Sequence, residues 1–366
     1  MKIINFLWHF STGGIGKCFL TYDKLSDVTP ELQVKSVCVI LDNAPCDFQP
    51  LVGQAIEQIH INANSDFSWM KRMKEIVDEE KPDAFFCHSH NGPIMLTLFK
   101  IRYCLKMPLI NTCHGFNPNT KFQNVTSKVW SCIMKMKSTK KVICVEQFTP
   151  PMLVSNGVKN DKIVTVYNGI EPTLAAKPVD LTGYNVDAPI IITASRLFCI
   201  KGVNYLIDAL ATLKVRGVKF CYFCIGDGEE EEALKIQAKD RGLTEDDIHF
   251  MGYQSNVPEW LAACDVFALP SLEEFHSIAI LEAMRAKKAI VATNIGGNPE
   301  SLRDEQDALM VPSKDAQALA DALERVLTSP ELRERLAASA HARFLERFTI
   351  DVMKKNLARE ILSVKI

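Results

Sequence analysis

Acidic residues are missing from one long stretch of this chain. Between Ala84 and Val145 there is no Asp and no Glu, while Lys100, Arg102, Lys106, Lys121, Lys128, Lys135, Lys137, Lys140 and Lys141 all fall there. A one-signed stretch favours anionic surfaces, such as a membrane leaflet or a phosphate-bearing acceptor. The alternative is a set of ordinary solvated helix faces, and the sequence leaves both open. Other absences narrow the class. No run reaches the ~18 apolar residues of a membrane-spanning helix. The start, MKIINFLWHFSTGG, has one Lys, a short apolar run and no small-residue cleavage site, so it does not read as a secretory leader. The expected location is the cytoplasm, with peripheral contact at the inner face of the plasma membrane. There is no sequence repeat and no low-complexity tract. A net charge of -2 argues against a general nucleic-acid binder.

Cysteine is plentiful, at 12 residues. In a reducing compartment these are small buried hydrophobes rather than disulfides. Cys221 and Cys224 form a CxxC inside VKFCYFCIG, which reads as a buried strand rather than a redox or metal motif. The sequon at Asn124 carries no message without secretion.

At 366 residues and 47% hydrophobic content, two domains are expected. Short apolar runs alternate with helical patterns: KIINFLWHF, VKSVCVIL, DAFFCHSH, PLINTCHG and KVICV, then APIIITASR, VKFCYFCIGDG, IHFMGY, CDVFALPS, KAIVATN and DALMVPS. Such runs fit buried parallel strands, and their alternation with helices predicts doubly wound α/β domains. The segment 172–189 carries three prolines and no clear period, and reads as a linker. The expected division is 1–171, linker 172–189, 190–348 and a helical end 349–366. Two such domains would face each other across a cleft, with ligands outside the C-terminal strand ends.

Several candidates fall at those ends. Ser11-Thr-Gly-Gly-Ile-Gly16 follows the first strand, where Gly13 and Gly14 would let a phosphate approach a helix N-terminus. Its GGxG spacing is not a dinucleotide fingerprint, and a tight structural turn explains it equally. His88 and His90 would share one strand face; without a visible third ligand no metal is expected. His114, before Gly115, can donate to a sugar or phosphate oxygen, or be a satisfied strand-end histidine. Arg196 and Lys201 sit between a strand and a helix. Two cations at a positive helix start favour a diphosphate there.

The stretch SLEEFHSIAILEAM holds Glu274 and Glu282. On one helix, eight residues would leave them about 80° apart. A strand ending at Pro270, a loop SLEEF and a helix from about Ser277 resolve this. Glu274 then sits in a loop and Glu282 in the second turn, with free N–H groups between them. That layout suits a ligand with hydroxyls at both ends and a diphosphate in the middle.

These residues resemble the family-4 retaining glycosyltransferases of the GT-B fold. SRLFCIKG is similar to the family's arginine–lysine diphosphate motif and EFHSIAILEAM to its Glu-x7-Glu signature. NVPEWLAACDVFALPS, IGGNPE and VYNGIE also match. The first domain matches more loosely, through its glycine loop and NTCHGF. The resemblance implies that Glu274 holds donor-sugar hydroxyls, Glu282 the ribose, and Arg196 and Lys201 the diphosphate. His114 would lie near the donor sugar. Gly13, Gly14, Phe275, His276, Ser277, Ile278, Tyr253 and Val257 would complete the donor side, with His88, His90 and Asn117 on the acceptor side. It further implies transfer with retention from a nucleotide-sugar, most readily a UDP-sugar, to a lipid-linked or saccharide acceptor in cell-surface polysaccharide, lipopolysaccharide O-antigen or glycolipid synthesis, without metal or other cofactor. The final helix would return to the first domain. In one departure, Phe275-His276-Ser277 replaces the family's usual Gly-Phe-Gly, so side chains are expected to crowd the sugar site. The alternatives are a nucleotide-sugar-binding protein with impaired turnover, or a GT-B-fold sugar-nucleotide epimerase.

Overall fold

The computed structural model describes every residue except 11–13, 43–54, 64–65, 116–124, 174–175, 185–186 and 366. Gly13 and Asn117 therefore lie outside the described residues. The chain divides into two compact units, Met1–Asn168 with Ile350–Ile366, and Gly169–Thr349. The segment 172–189, read as a linker, groups with the second unit. Its Val179 N–H donates to the Glu259 carbonyl at 3.3 Å.

In the first unit the strands are β1 (Lys2–Trp8), β2 (Gln33–Leu41), β3 (Glu57–Ile61), β4 (Ala84–His88), β5 (Leu109–Cys113), β6 (Thr139–Cys144) and β7 (Ile163–Thr165). They form one parallel sheet in the order β3-β2-β1-β4-β5-β6-β7. The helices are α1 (Gly14–Asp23), α2 (Trp69–Glu80), α3 (Asn91–Arg102), α4 (Val125–Lys135) and α5 (Thr149–Ser155). The sequence runs identified the five longer or more apolar strands. The edge strand β3 escaped because EQIHI is only half apolar, and β7 because it is three residues long.

Both faces of the sheet are covered, which is why its strands read as unbroken apolar runs. Ile4, Phe6 and Phe85 pack with Trp69, Leu96, Phe99 and Trp130 of α2, α3 and α4. Ile3, Phe86 and Ile143 face the other way, with Tyr22 of α1.

The second unit repeats the design. Its strands are β8 (Ile190–Ala194), β9 (Cys221–Ile225), β10 (Ile248–Phe250), β11 (Val266–Leu269), β12 (Ala289–Thr293) and β13 (Leu309–Val311). The parallel order is β10-β9-β8-β11-β12-β13. Its helices are α6 (Val203–Val215), α7 (Glu231–Asp240), α8 (Val257–Ala263), α9 (Ile278–Arg285), α10 (Asn298–Ser301), α11 (Ala316–Thr328) and α12 (Pro330–Arg347). A last helix, α13 (Ile350–Leu362), packs Met353, Leu357 and Ile361 into the first unit's core, beside Tyr22 and Ile143. Cys221 and Cys224 lie buried on β9, and all cysteines among the described residues are free.

In each unit the order reverses beside the first strand, between β1 and β4 and between β8 and β11. At such a reversal the connections leave in opposite directions and open a crevice at the C-terminal strand ends.

Candidate functional site

The second unit's crevice is flanked by the loops after β8 and β11, and they carry the charged motif residues. The β8 loop runs from Ser195 to Gly202 and holds Arg196 and Lys201. The β11 loop runs from Pro270 to Ser277 and holds Glu274. Backbone hydrogen bonds tie the loops together: Leu272 N–H donates to Ile200 at 2.7 Å, and Leu197 N–H to Asp227, past β9, at 2.7 Å. Close approach depends on glycine, as two of the positions show. Gly226 has φ +129, and a Cβ there would stand 1.8 Å from the Ser195 oxygen. Gly296, φ +49, would put a Cβ 1.8 Å from the Glu274 oxygen. These backbone contacts are invisible in a charge motif; the Gly226-Asp227-Gly228 sequence after β9 was the only signal for one of them.

Glu274 is the hub. Its Oε1 accepts from Lys201 Nζ at 2.6 Å and from Ser271 Oγ at 2.8 Å. Ser271 is in turn held through its carbonyl, which accepts from Thr293 Oγ1 at 2.6 Å. The ion pair is mostly sheltered, with the two side chains 17% and 10% exposed. Among the described residues Oε2 carries no hydrogen bond. Lys201 is thus already paired with Glu274. Arg196 is exposed, and its guanidinium stacks 4.9 Å from the Phe198 ring without a carboxylate partner among the described residues. Helix α6 begins at Gly202 without a side-chain cap, so its first-turn dipole adds positive potential beside Lys201.

Helix α9 starts where expected. Ser277 is its N-cap, accepting from Ile280 N–H at 3.5 Å, and Glu282 lies in the second turn. Ile278 opens the helix. The expected crowding by residues 275–277 is corrected for His276. Its ring is buried, with Nε2 3.3 Å from Ser301 Oγ and its centroid 5.3 Å from that of Phe348. Burial, aided by Arg347, pushes its pKa down to about 3. The ring is packed into the interior, and Phe275 is half-buried. Tyr253 and Val257 follow β10; Tyr253 is exposed, and α8, which Val257 opens, packs against α9.

The first unit's crevice edge is made of histidines. His88 and His90 do not share a strand face. The strand ends at His88, Ser89 turns the chain at φ +57, and the two rings diverge. His88 is fully buried, 5.2 Å from the Tyr22 ring of α1, with Nε2 2.6 Å from Asn5 Oδ1. His90 meets Trp130 of α4, on the opposite side of the sheet, at 4.8 Å. A fully buried His88 cannot touch an acceptor; it is a core residue. His114 lies 6.0 Å from His88 between ring centroids, and its Nε2 is sealed from solvent with no partner among the described residues. Burial, then the nearby His90, lowers its pKa to about 4, so the ring is neutral at pH 7. Among the described residues no group of three His, Cys, Asp or Glu side chains is placed to hold a metal ion. Gly14 opens α1.

The family model "Glycosyl transferases group 1" matches residues 182–343, and "Glycosyltransferase Family 4" matches residues 45–174. The α-D-kanosaminyltransferase of Streptomyces kanamyceticus is 36% identical over 157 residues, 42% of this chain and 40% of the relative. A UDP-Gal:α-D-GlcNAc-diphosphoundecaprenol α-1,3-galactosyltransferase from Escherichia coli is 26% identical over 284 residues, 73% of this chain and 72% of the relative. A lipopolysaccharide core glycosyltransferase of Rhizobium meliloti is 34% identical, over 46% of its length. The chain thus spans less than half the length of two of these three curated relatives. Among solved structures, Anabaena HepE in complex with UDP superposes with a TM-score of 0.82 at 21% identity, covering 100% of each chain.

Proposed function

Because the chain belongs to the glycosyltransferases of group 1 and family 4, with the GT-B fold, we propose that it moves a sugar from a nucleotide-sugar, most readily a UDP-sugar, to an acceptor in cell-surface polysaccharide or lipopolysaccharide synthesis. The observation that carries this is the Lys201–Glu274–Ser271 hub beside Arg196 at the crevice of the second sheet. Glu274 Oε2 has acceptor capacity left for a sugar hydroxyl, and Glu282 on α9 offers a second carboxylate for the ribose diol. Arg196, Lys201 and the uncapped start of α6 form a cationic end for the diphosphate.

In this reading the bond between the sugar anomeric carbon and the β-phosphate oxygen breaks as the acceptor oxygen bonds to the same face of that carbon. The acceptor's hydroxyl proton passes to the departing phosphate, and the nucleoside diphosphate leaves. Configuration is retained. Arg196 and Lys201 stabilise the charge that grows on the leaving group, and no metal is needed for that task. The E. coli relative is named for a lipid-diphosphate-linked acceptor, and a lipid-linked acceptor at an anionic membrane belongs to the same proposal.

The test is donor consumption. Labelled UDP-, GDP- and ADP-sugars are incubated with the protein and a panel of lipid-linked and saccharide acceptors, with and without EDTA, and product configuration is read by NMR. Retained product from a UDP-sugar, insensitive to EDTA and lost in Arg196→Ala and Glu274→Ala, is the expected result. Inverted product, or full activity in both variants, overturns the mechanism. Conversion of free UDP-sugar without acceptor would make the protein an epimerase instead.

A further inference from the structure

We propose that Phe198 is a positioning residue for the donor diphosphate: its ring holds the Arg196 guanidinium in place and leaves the N–H donors of that group free for phosphate oxygens. This deepens the transferase reading and rests on it.

The two cations of the β8 loop are held by different devices. Lys201 is fixed by an opposite charge, through its 2.6 Å bond to Glu274 Oε1. Arg196 has no such partner. Its guanidinium carbon lies over the Phe198 ring, 4.9 Å from the centroid, and among the described residues its side chain donates no hydrogen bond. Other arginines of the second unit commit their donors to carboxylates. Arg216 holds Asp321 and Glu324, Arg303 holds Asp307 through two nitrogens, and Arg325 holds Glu305 in the same way.

An ion pair would also order Arg196, but it would neutralise the cation and occupy the fork that matches a phosphate. A ring attracts the cation through its quadrupole and does neither. The full charge then remains for the negative charge that grows on the leaving diphosphate. An exposed side chain also gives up part of its rotamer freedom before the ligand arrives, so less ordering is left for binding.

The backbone sets the ring and the cation at a fixed separation. Leu197, between them, packs into the second unit's core, whereas Phe198 is half-buried and outside that cluster. Leu197 N–H donates to the Asp227 carbonyl at 2.7 Å, and its own carbonyl accepts from Glu230 N–H at 3.0 Å. Phe198 N–H donates to the Arg196 carbonyl at 3.0 Å, and the Phe198 carbonyl accepts from Lys201 N–H at 2.8 Å. One residue therefore touches both cation-bearing residues through its main chain. None of these bonds involves the side chain, so replacing the ring leaves the loop clamped and tests the ring by itself.

The experiment is a double-mutant cycle on the full chain: Phe198→Leu, Arg196→Ala and the double variant, with Phe198→Tyr as the conservative control. UDP affinity is read by calorimetry and donor consumption by steady-state kinetics. Phe198→Leu should weaken UDP binding and lower kcat/KM, each on the order of threefold, as expected for an exposed cation–π contact. Phe198→Tyr should restore both. In the Arg196→Ala background the leucine substitution should have no further effect, because the ring has no cation left to hold. Thermal melts without UDP should be unchanged in every variant. Equal losses from Phe198→Leu with and without Arg196 overturn the proposal, since the ring would then act on the donor or on the fold directly. A tyrosine variant no better than leucine overturns it too. Coupling in UDP affinity without any donor consumption would leave the role of Phe198 standing and sink the transferase reading. Donor consumption with additive losses would do the reverse.

Discussion

The two crevice edges are built on one plan and filled with opposite chemistry. In the second unit, the residues after β8 and β11 are charged, paired with each other and partly open: Lys201 to Glu274, Ser271 to Glu274, Arg196 at the surface. In the first unit, the residues at the end of β4 are imidazoles drawn into aromatic packing, His88 against Tyr22 and His90 against Trp130. Desolvation holds those imidazoles neutral. One edge therefore supplies fixed charge, suited to an anionic, hydroxyl-rich donor. The first unit's edge is uncharged.

The largest effect that would test this contrast is loss of the charge. Arg196→Ala or Glu274→Ala should lower kcat/KM on the order of 10²–10³-fold, the range seen when one preorganised electrostatic group is removed. Steady-state kinetics with the donor found active would measure it. If His88→Asn costs more than either, the assignment of roles to the two edges is reversed. Next in size is the scaffold under the charge. Gly296→Ala forces a Cβ to 1.8 Å from the Glu274 oxygen at φ +49. It should destabilise the chain by more than about 1 kcal/mol, since the backbone must shift, and weaken donor binding at the same time. Thermal melts with and without UDP would show both. An unchanged melt would mean that the loop contact is dispensable.

The same contrast explains how much was legible beforehand. Strand and helix alternation exposed the doubly wound fold because parallel strands covered on both faces are continuously apolar, as FLW in β1 and FFC in β4 show. Glu274, Arg196 and Lys201 could be placed in the loops after strands, and Glu282 on the helix beyond, because the apolar runs fix where the strands end. The pairing of Lys201 with Glu274 was not legible, since the two are 73 residues apart and nothing local announces the contact. His88 was misplaced for a different reason. Alternation predicts that residues 88 and 90 share a face, but Ser89 at φ +57 ends the strand between them. His276 was read as crowding the ligand because its sequence position is in the loop; its destination, against Ser301 and Phe348, is a tertiary fact.

A smaller effect tests the Ser271 bond to Glu274. Ser271 is buried, so Ser271→Ala removes one charge-assisted hydrogen bond without exposing a new surface. A loss of about 1.5–3 kcal/mol is the upper expectation for such a bond; because Lys201 remains, the lower end is expected. The measurement is donor affinity by calorimetry in Ser271→Ala and in Lys201→Ala, with the double variant closing the cycle. Additive losses would show that Ser271 and Lys201 act on Glu274 independently, whereas coupled losses are expected of one hub.

The smallest effect at neutral pH concerns His276, where the charged edge contains a neutral histidine of the kind that fills the other. Its folded pKa of about 3 lies below the ordinary 6.5, so the unfolded chain binds a proton that the folded chain refuses. Stability from this group is complete above pH 6.5 and is lost as the pH falls from there towards 3. His276→Phe removes the titration and also the 3.3 Å contact with Ser301 Oγ. At pH 7 the variant should be less stable by about 1 kcal/mol, the worth of one ordinary hydrogen bond. As the pH drops the difference should shrink and then change sign, because the wild type must exclude a proton that phenylalanine never binds. Urea unfolding of both proteins from pH 7 to pH 4 gives the slopes directly, and the wild type should release its folded state with up to about one more proton bound. Parallel stability curves would mean that His276 is not sealed in its pocket, and the loop that carries Glu274 would lose its proposed interior anchor.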